Sequence, residues 1–288
     1  MIYLWEHNSV LSPFIKHTKK IDEVDTIIVW NDIYPVERGI IDYTRKLGKK
    51  TYVMQHGRRG SSRYYPPFNQ QIYADKLLVW GESDKKALIE AGQDSKKIEV
   101  VGTPIFKKLK ARVKHKWTNI VYSPEHWDKP LEENVKVRDE LRKLKIKGLV
   151  ITTKLIYSAS HQEEYDNPVR TNVSDQDHLE KCIDVLKWAD LVVGISESTF
   201  ELLAQAMDIP VVIMEEWIPK AFGGDMRYLT YRRVISRASK RATMKNLLSV
   251  IEDQLKNPDE LKQERKEVVL EDGGEWDEGH RLFKGGLP

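Results

Sequence analysis

A single cysteine, Cys182, stands among 288 residues, so no internal disulfide can form and a thiolate zinc site has no second ligand. Its setting, Leu179-Glu180-Lys181-Cys182-Ile183-Asp184-Val185-Leu186, reads as a helix core ahead of a catalytic thiol. Long apolar runs are missing: none approaches the roughly 20 residues that cross a bilayer. The start, Met1 to His7, lacks the basic flank and length of a signal peptide, and a cytoplasmic protein is the expectation. Net charge is only +3, too little for a global argument about nucleic acid. No Gly-x-x-x-x-Gly-Lys-Ser/Thr loop, no Gly-x-Gly-x-x-Gly after a strand and no His-Glu-x-x-His occurs. Walker-type ATPases, dinucleotide dehydrogenases and that class of zinc protease lose their main support. No metal site and no resident cofactor are expected.

With 40% hydrophobic and 32% charged residues, the chain can build one large core or two modest ones. Apolar β-type runs recur at Ile2 to Trp5, Thr26 to Trp30, Thr51 to Gln55, Lys76 to Trp80 and Ile98 to Val101. Helical patterns at Val36 to Leu47 and Ser83 to Ala91 lie between them, followed by Gly48 and Gly92 as C-caps. Such alternation predicts a parallel α/β sheet. Pro104 to Lys116, rich in lysine, reads as a bridge, which gives domains over 1–110 and 117–288. Beyond it come strands at Asn119 to Tyr122 and Gly148 to Thr152, helices at Pro130 to Leu144 and around His178 to Trp188, and polar helices at Thr243 to Leu255, Asp259 to Val268 and near Asp277 to Phe283.

The richest stretch is Ser196-Glu197-Ser198-Thr199-Phe200-Glu201, set between the apolar runs Leu191 to Ile195 and Val211 to Met214. It predicts a strand, a helix and a parallel strand, with Ser198 or Thr199 capping the helix. A helix N-terminus at the carboxyl end of a strand offers free N–H groups and a positive dipole end, which suits a phosphate; plain capping explains the hydroxyls equally well. Two more polar loops follow strands: Ser123-Pro124-Glu125-His126 and Thr152-Thr153-Lys154. One shared ligand accounts for all three, with Lys154 supplying a point charge to a diphosphate.

In the first half, Val53-Met54-Gln55-His56-Gly57-Arg58-Arg59 ends a strand on His-Gly, so His56 is a candidate base or hydrogen-bond donor, and Arg58 and Arg59 could meet negative charge. Asp32 follows the strand Thr26 to Trp30 and is a second candidate base; a turn or helix cap is its alternative. Basic clusters at Lys107 to Lys114 and Arg232 to Arg241 could meet phosphates, or be solvated surface.

Together these motifs resemble a family. Ala74-Asp75-Lys76-Leu77-Leu78-Val79-Trp80-Gly81-Glu82, Lys97 to Pro104, the His-Gly strand end and Trp188 to Pro210 are similar, in order and content, to GT-B glycosyltransferases. The flavour is that of CDP-glycerol glycerophosphotransferases, UDP-N-acetylglucosamine epimerases and surface-carbohydrate transferases. The resemblance covers roughly residues 26 to 106 and 119 to 214. It implies two Rossmann-like, doubly wound domains facing across a cleft, and a sugar moved from a nucleotide-diphosphate sugar to an acceptor hydroxyl. The donor candidates are then Ser123, Glu125, His126, Lys154, Ser196, Glu197, Ser198 and Thr199, with Asn172 and its neighbours Thr171 and Val173 near the base. His56 and Asp32 would be catalytic, and Gly57, Arg58 and Arg59 acceptor-side. The chain departs from the pattern at Leu203, where relatives carry a carboxylate, and in lacking a glycine-rich loop after its first strand. The alternatives are a glycerophosphotransferase, an epimerase, or a nucleic-acid binder or transferase acting on DNA bases. The acceptor implied is a carbohydrate, a lipid-linked group or a DNA base.

Overall fold

The computed structural model describes residues 2–5, 21–29, 32, 35–55, 71–90, 92–124, 132–155, 166–170, 177–195, 198–215 and 237–273. The chain divides into two units, Met1–Thr103 with Leu270–Pro288, and Pro104–Val269.

In the first unit, β1 (Ile2–Trp5), β2 (Thr26–Val29), β3 (Lys50–Met54), β4 (Lys76–Val79) and β5 (Ile98–Val100) form a five-stranded sheet in simple sequential order. Every neighbouring pair is parallel. Helices α1 (Pro35–Lys46) and α2 (Glu82–Glu90) connect them. Alternation divides the apolar residues between two faces. Ile27, Val29, Val53, Leu77 and Val79 pack with Ile40, Ile41 and Leu88, while Ile28, Tyr52 and Leu78 are buried on the other side. A parallel sheet buried on both faces explains the near-continuous apolar runs. The two glycine caps are as expected: Gly48 has φ +70° and Gly92 φ +88°, and Lys49 and Gln93 donate back to the carbonyls of Thr44 and Leu88.

The second unit holds β6 (Thr118–Ser123), β7 (Leu149–Leu155), β8 (Pro168–Arg170), β9 (Leu191–Gly194), β10 (Val211–Met214) and β11 (Ser239–Ala242). Their order, β11-β10-β9-β6-β7-β8, is that of a doubly wound dinucleotide-type sheet, and all pairs are parallel. On one face Ile120, Tyr122, Leu191 and Val193 meet Val137 and Leu141 of α3 (Glu132–Leu141) and Leu247 and Ile251 of α6 (Leu247–Lys256). On the other, Val121, Val192, Val211 and Ile213 meet Cys182 and Leu186 of α4 (His178–Leu186) and Phe200 and Leu203 of α5 (Thr199–Ala206). Cys182 is thus the buried core residue its spacing suggested.

The segment read as a bridge is instead fastened to this second unit. Ile105, Phe106 and Leu109 pack against the core under α4 and α5. Lys110 pairs with Asp184 at 2.8 Å, Val113 donates to the Lys187 carbonyl at 2.7 Å, and Arg112 reaches the Ala189 carbonyl at 2.9 Å. The division therefore falls after Thr103 and not between 110 and 117, and residues from Leu270 onward group with the first unit. The second basic cluster is likewise neutralised where it is described: Arg237 pairs with Glu267, Lys240 with Glu260 and Arg241 with Glu215.

A last helix, α7 (Lys262–Gly273), is held through Arg265, whose guanidinium is almost wholly buried. It donates from Nε (2.9 Å) and Nη2 (2.6 Å) to Asp208 Oδ1 and from Nη2 to the Pro258 carbonyl at 2.8 Å. Burial alone would push the Asp208 carboxyl up, but Arg265 and Lys262 hold it below the ordinary carboxylate range. Its contribution is therefore present above the ordinary aspartate range and fades as pH falls through the lowered value. Arg265→Ala should cost about 2–3 kcal/mol in urea unfolding at neutral pH. An unchanged midpoint would show that the pair contributes nothing.

Candidate functional site

The strand order of the second sheet reverses between β6 and β9, and ligands of doubly wound sheets sit beyond the carboxyl ends of the strands at such a reversal. Ser123, the last residue of β6, lies in register with Gly194, the last of β9. Val121 faces the α4 and α5 core, so Ser123, two residues on, faces the same side. Lys154, near the end of β7, points there too: its Nζ lies 4.5 Å from the centroid of the Phe200 ring in the first turn of α5. Three elements thus converge on one edge and one face.

Lys154 is 1% exposed, and no described carboxylate comes within ion-pair distance of it. Burial pushes its ammonium pKa down, opposed by the charges of Glu201 and Cys182. A buried ammonium without a hydrogen-bonded counter-ion is costly, and an anion arriving beside it would relieve that cost.

The start of α5 is a capping box. Ser198 Oγ accepts from the Phe200 amide at 3.2 Å and donates to Glu201 Oε2 at 2.5 Å, and Glu201 Oε2 also accepts from the Ser198 amide at 2.7 Å. The Ser198 hydroxyl is therefore committed as both donor and acceptor, so capping accounts for it. Glu201, the carboxylate nearest the place where the resemblance leads one to expect one, is buried and occupied in the same way. Thr199 is the first helical residue, half-buried at the edge.

In the first unit Asp32 is buried, and its Oδ2 accepts from the backbone amides of Tyr73 (2.6 Å) and Ala74 (3.1 Å). That geometry ties residues 73 and 74 to the end of β2, a structural anchor that the reading as a base did not foresee. A second anchor went unnoticed in the sequence. Gln55, which follows β3, donates from Nε2 to Asp84 at 2.7 Å, accepts the Trp80 amide at 2.8 Å, and its carbonyl accepts from the Trp80 indole at 2.9 Å. The strand end immediately before His56 is thereby fixed. His56, Gly57, Arg58, Arg59, Glu125, His126, Asn172 with its neighbours Thr171 and Val173, Ser196 and Glu197 lie outside the described residues. Among the described residues no group of three His, Cys, Asp or Glu side chains could hold a metal ion, and no helix is long and apolar enough to cross a membrane.

Two parallel α/β sheets, one of them doubly wound with polar groups gathered at its reversal, define the GT-B type of fold shared by glycosyltransferase-like enzymes. A Listeria monocytogenes protein assigned as a UDP-N-acetylglucosamine 2-epimerase superposes with TM-score 0.61 at 14% identity, covering 93% of this chain and 76% of its own. The wall teichoic acid polymerase TagF, soaked with CDPG, gives 0.58 at 12% identity, covering 99% and 78%. Anabaena HepE in complex with UDP and glucose gives 0.56 at 10%, covering 90% and 76%. No protein-family model matches the chain, and no curated protein matches it in sequence.

Proposed function

We propose that the protein transfers a sugar from a nucleotide-diphosphate sugar to an acceptor hydroxyl. The observation that carries this reading is Lys154: a buried cation with no described carboxylate in ion-pair reach, on the same sheet face as Ser123 and beside the first turn of α5. Such a site favours a pyrophosphate, with the ammonium and the helix amides stabilising the charge that develops as the nucleoside diphosphate departs. His56 would take the proton from the acceptor hydroxyl. Asp32 is assigned a positioning role, since one of its oxygens already serves two backbone amides.

The similar structures include an assigned epimerase and a teichoic acid polymerase, so glycerophosphate transfer and epimerisation use the same donor pocket in this reading. Transfer to nucleic acid is less favoured, because Lys108, Lys110 and Arg112 of the first basic cluster and Arg237, Lys240 and Arg241 of the second are paired with carboxylates. A thermal-shift series with UDP, CDP, GDP and ADP sugars and CDP-glycerol tests the donor. One nucleotide should stabilise the protein, by about 2.7 kcal/mol at a hundredfold excess over Kd. Mass spectrometry of products with and without acceptor then separates transfer from epimerisation. Failure of every nucleotide to shift the transition would overturn the proposal.

A further inference from the structure

At the opposite, amino-terminal rim of the second sheet, Trp117 and Trp188 leave 43% and 37% of their surface in water. Two indoles exposed side by side make a contiguous apolar patch, the kind of surface that marks a binding site. Their rings lie within 17° of parallel, with centroids 6.1 Å apart, and form a stepped aromatic shelf. The shelf is held rigidly. The His115 ring stacks on Trp117 at 4.7 Å, and its two nitrogens lie 2.7 Å from the Trp117 carbonyl and 2.9 Å from the Trp188 carbonyl. Asn119 donates to the same Trp188 carbonyl at 3.0 Å and accepts from Thr152 at 3.0 Å. Beside the indoles opens a cavity of about 400 Å³, lined also by Val150 and Val169 and by Lys181 and Asp184 of α4.

We infer that this shelf and cavity bind a neutral saccharide at a site separate from the nucleotide crevice. The charges there already have partners: Lys181 pairs with Asp177 at 3.1 Å, and Asp184 accepts from Lys110 at 2.8 Å and Lys187 at 3.0 Å, so a ligand without net charge suits them better than a strongly charged one. The nearby cations Lys108, Lys110 and Arg112 are already paired with Glu180, Asp184 and Asp190, which weakens the positive field a phosphate backbone would follow. An acyl chain would gain from the indoles and valines but would strip water from these half-exposed ion pairs without offering them a hydrogen bond. A pyranose satisfies both demands. Its C–H face covers the indoles while its equatorial hydroxyls reach the ammonium and the carboxylate. Two rigid rings lose little freedom when such a ligand binds.

Titration calorimetry with cello-, malto- and chito-oligosaccharides of four to six units tests it, alongside saturation-transfer spectra. One series should bind, and Trp117→Ala and Trp188→Ala should each weaken it about tenfold or more. Lys181→Ala, at a half-buried helix position outside the core, should weaken it several-fold and serves if a tryptophan variant fails to fold. Lys154→Met should leave saccharide binding unchanged, and Trp117→Ala should leave the nucleotide thermal shift unchanged, so this site and the donor crevice stand or fall separately. No binding by any series, binding indifferent to these substitutions, or a preference for fatty acids or oligonucleotides over every saccharide would overturn the inference.

Discussion

Replacing Lys154 with methionine is expected to make the empty protein more stable and to abolish its response to nucleoside diphosphates. The ammonium sits among Phe200, Cys182 and Glu201 with its pKa pushed down by burial, so the folded state gives up part of its hydration with no carboxylate among the described residues in ion-pair reach. A thioether of similar length fills the space without that cost, for a gain of about 1–3 kcal/mol in denaturant titration. The pH dependence carries the same signature. Between the lowered folded value and the ordinary 10.5, the unfolded chain binds more protons than the native one, so wild-type stability gains from Lys154 as pH rises through that window. The methionine variant should lack that rise. If Lys154→Met instead loses stability while nucleotide still binds, Lys154 is a packing residue and the crevice holds its ligand by other means.

Asp32 is expected to respond quite differently to its two obvious substitutions. Asp32→Ala removes the acceptor for the amides of Tyr73 and Ala74, which are left unpaired where little water reaches, and should cost about 2–4 kcal/mol in the same titration. Asp32→Asn keeps an oxygen that can accept both amides. It should retain most of that stability and, with His56 as the base, most of the turnover. A well-folded Asn variant with turnover lowered by several orders of magnitude would restore Asp32 as the proton acceptor.

The elements that were legible in the chain are those whose cause is local. Central strands such as β9 and β10 show as unbroken apolar runs because both faces are buried, and Gly48 and Gly92 mark helix ends because their φ is positive. The edge strands β8 and β11 were not legible. Each is short and pairs on one side only, and Ser239-Lys240-Arg241-Ala242 reads as a basic patch until Glu215, just after β10, and Glu260, just before α7, arrive beside it. The bridge was misread for a related reason: the carboxylate that neutralises Lys110 lies 74 residues away. At the candidate site, the convergence of Ser123, Lys154 and the start of α5 followed from strand ends alone. The role of Asp32 did not, since the amides it holds are 41 and 42 residues further on. The aromatic shelf joins Trp117, just before β6, to Trp188, just before β9, and nothing in either neighbourhood announces the other.

The occupied hydroxyl of Ser198 also sets which amino acids could replace it. Threonine and asparagine can both receive the Phe200 amide and give a proton to Glu201, whereas aspartate can only receive and would bring a second negative charge against the glutamate. Exchange to threonine or asparagine should therefore be silent in catalysis and exchange to aspartate should not. What the crevice requires of this position is an orderly first turn rather than an alcohol.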